Sequence, residues 1–182
     1  LVCIDQEGGR VSRLNPANGF ESVPSQAELG RGTPGATLNQ ARKTAAMLAS
    51  CGINVNFAPV ADVNVNPGNP VIGKLGRSFG ENAGLVSRHC RAVVQGHREH
   101  GVLAVVKHFP GHGSSAADSH LGLVDVSGSW HRQELEPYRV LVAEGMLSAV
   151  MTAHIYNRHL DPDYPATLSA FTVNGLLRTD MH

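Results

Sequence analysis

Apolar positions along the chain gather into four short runs, residues 1–4, 53–57, 103–106 and 149–151, whose starts lie 52, 50 and 46 residues apart. Each run is apolar throughout or nearly so and rich in β-branched side chains, the pattern of parallel strands covered on both faces. Polar residues follow each run, and then a stretch of helical periodicity. The first helix is signalled by Thr37 and Gln40 at capping-box spacing, runs through Ala45 and Leu48, and stops at Gly52. The second places Leu85, Val86, Cys90, Val93 and Val94 on one face and stops near Gly101. The third opens around Pro137, tolerated in a first turn, and ends at Gly145. The fourth starts after Ser169, a good N-cap, and continues to the end of the chain.

Strand, loop and helix repeated four times predict a parallel α/β fold. Two architectures compete: an open doubly wound sheet with its ligand at a switch point, and a (β/α)8 barrel with catalytic groups at the C-terminal ends of many strands. Here every run ends in polar or charged residues: Asp5 and Glu7, Asp62, Lys107 with His108, and Thr152 with His154. That distribution favours the barrel. Eight units of this size need about 400 residues, the upper end of the barrel range. The expectation is therefore a partial (β/α)8 TIM-type barrel of about four consecutive β-loop-α units, with residues 1–182 a fragment of a single catalytic barrel domain truncated at both ends. Residue 1 already lies inside an apolar run, so any signal peptide would lie upstream.

Composition narrows the function. With 42% hydrophobic and 16% charged residues the chain reads as soluble and globular. Fifteen basic residues balance fifteen acidic ones without a Lys/Arg stripe, which argues against nucleic-acid or membrane-surface partners. No apolar stretch reaches the ~18 residues that span a bilayer. Cys3, Cys51 and Cys90 contain no CxxC, and two of them sit in apolar patterns, which suggests buried thiols; a reducing compartment fits and slightly favours a cytoplasmic location, with a periplasmic or secreted one open because any signal would lie upstream.

The densest chemistry lies in the loop after the third run, Lys107-His108-Phe109-Pro110-Gly111-His112-Gly113, which continues to Asp118-Ser119-His120. Pro110 and the glycines exclude a helix. His108, His112, Asp118 and His120 could in principle ligate a metal, but the HxxxH spacing faces one ion only on a helix. Asp118 two residues before His120 can instead accept from the ring N–H and hold its tautomer and charge; the plainer alternative is a surface turn. Asp62 follows a strand end and either points into a barrel mouth or forms an Asx turn with Asn64. Lys107, closing a buried strand, needs a partner, for which a carboxylate or a hydroxyl-rich ligand is suitable. Arg77 lies in a long loop, where a solvated arginine is the ordinary reading. Gly30-Arg31-Gly32-Thr33-Pro34-Gly35 matches GxGxxG, but no strand leads into it and Pro34 lacks an N–H, so it reads as a turn and helix entry.

Together these segments resemble the family 3 glycoside hydrolases and, within them, the β-N-acetylhexosaminidase branch. The resemblance is carried by Asp5-Gln6-Glu7-Gly8-Gly9-Arg10-Val11, Phe57-Ala58-Pro59-Val60-Ala61-Asp62, Arg77-Ser78-Phe79, the Lys107-to-His120 loop, Val150-Met151-Thr152-Ala153-His154 and Pro165-Ala166-Thr167-Leu168-Ser169. The Asp118-Ser119-His120 end is the most discriminating part. The resemblance implies a retaining exo-β-N-acetylglucosaminidase, with His120 as acid/base supported by Asp118. Asp62, Arg77, Lys107 and His108, with Arg10 as a further contributor, would bind the sugar; His112 and His154 would be structural. It implies no cofactor and no metal, and as partner a small carbohydrate: an N-acetylglucosaminide, muropeptide or chitooligosaccharide. The family's nucleophilic aspartate belongs to a strand beyond the helix that starts at Ser169, so it is expected outside residues 1–182, and Asp180, inside a helical pattern, is not that residue. This piece alone is expected to be inactive. Rival readings are a β-N-acetylglucosaminide phosphorylase or other family β-glycosidase, a noncatalytic sugar-binding barrel, and a metal-dependent hydrolase.

Overall fold

The four apolar runs pair side by side in the order in which they occur. The computed structural model describes residues 1–119 and 121–181. In chain order its elements are β1 (Cys3–Ile4), β2 (Gln6–Gly8), β3 (Val11–Ser12), α1 (Gln26–Gly30), α2 (Pro34–Ser50), β4 (Val55–Asn56), α3 (Ala83–Arg98), β5 (Leu103–Ala104), β6 (Val106–Phe109), β7 (Val124–Asp125), α4 (Glu136–Ala143), β8 (Val150–Thr152), β9 (Ile155–Tyr156) and a π-helix over Phe171–Thr179. β1 pairs parallel with β4, β4 with β5, and β6 with β8. β5 and β6 continue one another around Val105, whose N–H donates to Asn56 O on the β4 side, while Val106 N donates to Ala149 O on the β8 side. A parallel bridge between Val60 and Lys107 extends the ladder toward the strand ends. The sheet thus advances through its four runs without the reversal of order that defines a doubly wound switch point.

The helices follow the expected places with shifted starts. Thr33, not Thr37, caps α2, its Oγ1 accepting from Ala36 N at 3.2 Å with Pro34 in the first turn. Thr37 lies a turn inside, fully buried, and its hydroxyl meets His89 Nδ1 at 2.8 Å, joining α2 to α3. Asn82 caps α3 and Pro137 sits in the first turn of α4, both where the apolar periodicity begins. Ser169 Oγ accepts from Thr172 N as a cap should, but the turns that follow are wider than α: Asp180 N reaches back five residues to Gly175 O.

Behind the sheet, Val86, Cys90 and Val94 of α3 pack with Val106, Phe109 and Tyr138 in the main apolar core. Phe109 and Tyr138 meet edge-on with ring centroids 5.1 Å apart, a favoured aromatic geometry. The thiol expectation needs correction: Cys90 is buried, but Cys3 on the outer strand and Cys51 at the end of α2 are exposed. No described helix is long and apolar enough to cross a membrane.

Candidate active site

A cavity of about 510 Å³ opens at the C-terminal ends of the parallel strands, within the size range of small-ligand sites. Its charged lining comes from Asp5, Glu7, Arg13, Arg77 and Lys107, with His108 beside them. Apart from Arg13, these side chains form one connected chain. Lys107 Nζ donates to Asp5 Oδ1 at 2.7 Å and lies 2.6 Å from Glu7 Oε1. Arg77 then grips both Glu7 oxygens, Nε and Nη2 each at 2.8 Å, and gives Nη1 to Val71 O. The Lys107 and Glu7 side chains are 2% and 1% exposed, so neither charge is held by water. Burial would raise the Glu7 carboxyl, but Arg77 and Lys107 outweigh it and keep it below the ordinary value. Burial likewise opposes the charge on Arg77, and Glu7 more than offsets it.

Asp62 does not point into the cavity mouth. It is fully buried beneath His108, with Oδ2 taking the Nδ1 hydrogen at 2.6 Å and Oδ1 accepting the backbone N–H groups of His112 at 2.8 Å and His108 at 3.3 Å. Burial pushes its carboxyl up, but His108 and His112 prevail and bring it down to about 2. Asp62 therefore orients His108 rather than contacting a ligand itself. With Nδ1 committed to Asp62, the other ring nitrogen of His108, Nε2, lies 3.4 Å from Arg77 Nη2. The structure brings Lys107, His108 and Arg77 together as expected, and leaves Arg10 exposed in the β2–β3 turn, away from the cavity lining. Arg13 lines the cavity instead. The buried Gln6 side chain accepts from Arg13 N and Leu14 N at 2.9 and 3.0 Å, and so fixes the strand that delivers Arg13.

The loop beyond Phe109 has a buried base and an open tip. Residues 111–115 are buried, whereas Ala116 and Ala117 are exposed and Asp118 and Ser119 partly so. Asn69 Nδ2 donates to His112 O and Asn66 Nδ2 to Ser115 O, tying the base to the segment after Asp62. His112 has a role beyond filling space, because its Nε2 lies 3.0 Å from Ser119 Oγ, which lines the cavity between Asp118 and His120 in sequence. Burial lowers the His112 pKa, with Asp62 opposing. His120, the residue the sequence singles out for proton transfer, lies outside the described residues. His154 also lines the cavity, its Nδ1 2.8 Å from Thr167 Oγ1. His108 and His112 turn these nitrogens toward Asp62 and Ser119, and among the described residues no group of three or more His, Cys, Asp or Glu side chains is placed to hold a metal ion. Sequence reasoning passed over Asp5, Glu7 and Arg13 as contributors, although the polar ends of the first run marked two of them.

Residues 1–182 match the Glycosyl hydrolase family 3 N terminal domain. Beta-hexosaminidase LpqI of Mycobacterium tuberculosis is 42% identical over 185 residues, covering 98% of this chain and 45% of that protein. Beta-hexosaminidase A of Pseudoalteromonas piscicida is 38% identical over 199 residues, covering 100% of this chain and 33% of that protein. Among solved structures, a glycoside hydrolase family 3 beta-N-acetylglucosaminidase from Paenibacillus sp. str. FPU-7 superposes with a TM-score of 0.92 at 45% identity, over 100% of this chain and 34% of the other. NagZ from Neisseria gonorrhoeae, in complex with N-trifluoroacetyl-D-glucosamine, gives a TM-score of 0.89 at 35% identity, over 100% of this chain and 55% of the other. The chain spans a third to about half of the length of these relatives. The four sequential parallel units are accordingly part of a β/α barrel. Matched from its first residue to its last, the chain belongs to glycosyl hydrolase family 3.

Proposed function

We propose that the protein containing this domain is a retaining exo-β-N-acetylglucosaminidase acting on small N-acetylglucosaminides such as muropeptides or chitooligosaccharides. The observation that carries the reading is the linked set Asp5–Lys107–Glu7–Arg77–His108 lining a cavity at the strand ends, beside a loop whose Ser119 reaches the same cavity. Buried, mutually neutralised donors and acceptors suit a neutral, hydroxyl-rich ligand. An ammonium has three donors, two of which go to Asp5 and Glu7, so one remains for a sugar hydroxyl. Arg13 and Asp5, more exposed than their neighbours, supply further polar contacts at the entrance.

In the chemistry that follows, the His120 imidazolium gives its proton to the glycosidic oxygen as the bond from C1 to the aglycone breaks. Asp118 orients and electrostatically supports that ring. A carboxylate supplied from outside residues 1–182 bonds to C1, and in the second step water attacks C1 and displaces that carboxylate as His120 takes the water's proton. An imidazole with an unperturbed pKa of ~6.5 can perform both transfers near neutral pH. The test is hydrolysis of aryl N-acetyl-β-glucosaminide by the full-length gene product, with the β-glucoside as comparison. Preferential release of aglycone from the N-acetylated substrate is expected. Preference for the β-glucoside overturns the specificity, and sugar 1-phosphate formed only with added phosphate replaces hydrolysis by phosphorolysis.

A further inference from the structure

The turn before α4 holds a carboxyl group that the proposed chemistry does not use. Glu134 sits in the 3-10 turn Arg132–Leu135 and is fully buried. Its Oε1 accepts from His131 N at 3.2 Å, the local bond that closes the turn. That bond needs one oxygen. The other reaches across to the loop: Oε2 accepts from Gly113 N at 3.1 Å and Ser114 N at 3.3 Å. The approach is close enough to exclude side chains. A Cβ on Gly111 would lie 2.6 Å from Glu134 Cβ, and a Cβ on Gly113 would lie 1.7 Å from Val63 O. The loop base is thus clamped between the segment after Asp62 and the turn before α4, and its backbone amides are satisfied by a buried acidic side chain. Burying a carboxyl group is costly unless its hydrogen bonds are made, and here two of the three it accepts serve the loop.

We propose that Glu134 is a positioning residue for proton transfer: by fixing the Gly113 and Ser114 amides it sets the base from which Asp118 and His120 reach the glycosidic oxygen. The inference rests on the reading of this loop as the acid/base element. About an ångström of error at the base is carried to the tip, and misplacement of that order costs about 100-fold in rate. The titratable groups facing Glu134 are Asp62 across the loop base and Tyr138 of α4, with His131 in its own turn. Burial first, then the Asp62 charge, move the Glu134 carboxyl up to about 7, against the bonds from the loop and from His131.

Three measurements on the full-length protein test this. In the wild type, hydrogen exchange at the Gly113 and Ser114 amides should be as slow as in the parallel strands; exchange at open-loop rates overturns the inference. Glu134→Ala should lower kcat about 100-fold for a substrate with a poor leaving group, and less than about 10-fold for an activated one, with KM within about threefold. Equal losses for both leaving groups would show a scaffold effect and overturn it. Glu134→Gln keeps one acceptor oxygen and should recover most of the lost turnover; no recovery counts against the positioning role. If Glu134→Ala does not fold, Glu134→Gln and the wild-type amides carry the decision. A wild type inactive on every N-acetylglucosaminide overturns the proposed function and the inference with it, whereas an active wild type with equal losses overturns the inference alone.

Discussion

Asp62 and Glu134 hold the same loop from opposite sides. Both are fully buried, and each accepts two or more backbone N–H groups. Their carboxyl groups nonetheless titrate about five units apart, at about 2 for Asp62 and about 7 for Glu134. Burial disfavours the charge at both sites. What differs is the third partner. Asp62 faces the His108 ring at 2.6 Å with His112 beside it, whereas Glu134 faces uncharged donors of the loop and its own turn, with the Asp62 charge beyond them. The strand-end side of the site is therefore built around fixed charges, and the α4 side around a carboxyl group poised to change its charge near neutrality. Depth does not set the ionisation of these acids; the chemistry of the nearest donor does.

Removing Asp62 should break this arrangement most severely. Asp62→Ala leaves the His108 ring and two buried amides unpaired and is expected to destabilise the protein by about 3–5 kcal/mol, read as a lowered urea midpoint at unchanged slope. The wild-type contribution of Asp62 has a defined pH window. Its folded pKa lies below the unfolded value of 3.8, so its stabilisation is present above about pH 4 and fades as pH falls toward 2. Urea unfolding across that range should show an acid loss of about 2 kcal/mol from this group, absent in the Ala variant.

Glu134 should behave in the opposite sense. Its folded pKa lies above the ordinary carboxyl value of 4.5, so its contribution is complete below about pH 4.5 and is lost as pH rises through 7. Between pH 5 and 8 the wild type should lose on the order of 2 kcal/mol that Glu134→Gln does not lose. A Gln variant with the wild-type pH slope would assign that titration to another group. The smallest effect is expected at the tip. Ser119→Ala removes the partner of His112 Nε2 and should cost about 1 kcal/mol or less in stability, with a severalfold loss of kcat for poor leaving groups and little change in KM.

The legible parts of this fold are those specified by neighbours in sequence. Four apolar runs became four adjacent parallel strands, and Leu85, Val86, Cys90, Val93 and Val94 lie along one helix, because burial on a strand or helix face leaves a periodic trace. The β2–β3 hairpin and the β7–β9 pair lie outside those apolar runs, so they are visible only in three dimensions. The hairpin decides which arginine meets the cavity. Its register shifts between Gln6 and Gly8, placing Arg10 in the exposed turn and Arg13 on the lining. Asp62 shows the same limit: a strand-end position locates it near the site, but its direction depends on where His108 and His112 sit, 46 and 50 residues later. Glu134 looks like an ordinary capping residue in sequence, since Glu two residues before a helix-favouring segment commonly closes a turn. Nothing local indicates that its second oxygen spans 21 residues to Gly113.

The sequence by itself determined the alternation of strands and helices, the family, and the loop in which Lys107, His108, Asp118 and His120 are gathered, because apolar periodicity and contiguous motifs are properties of the chain. The tertiary structure decided which charges meet: Glu7 between Lys107 and Arg77, Asp62 under His108, Glu134 under the loop. Those pairings join residues 20 to 100 positions apart, and electrostatic interactions depend on distance and burial in space, neither of which separation along the chain records.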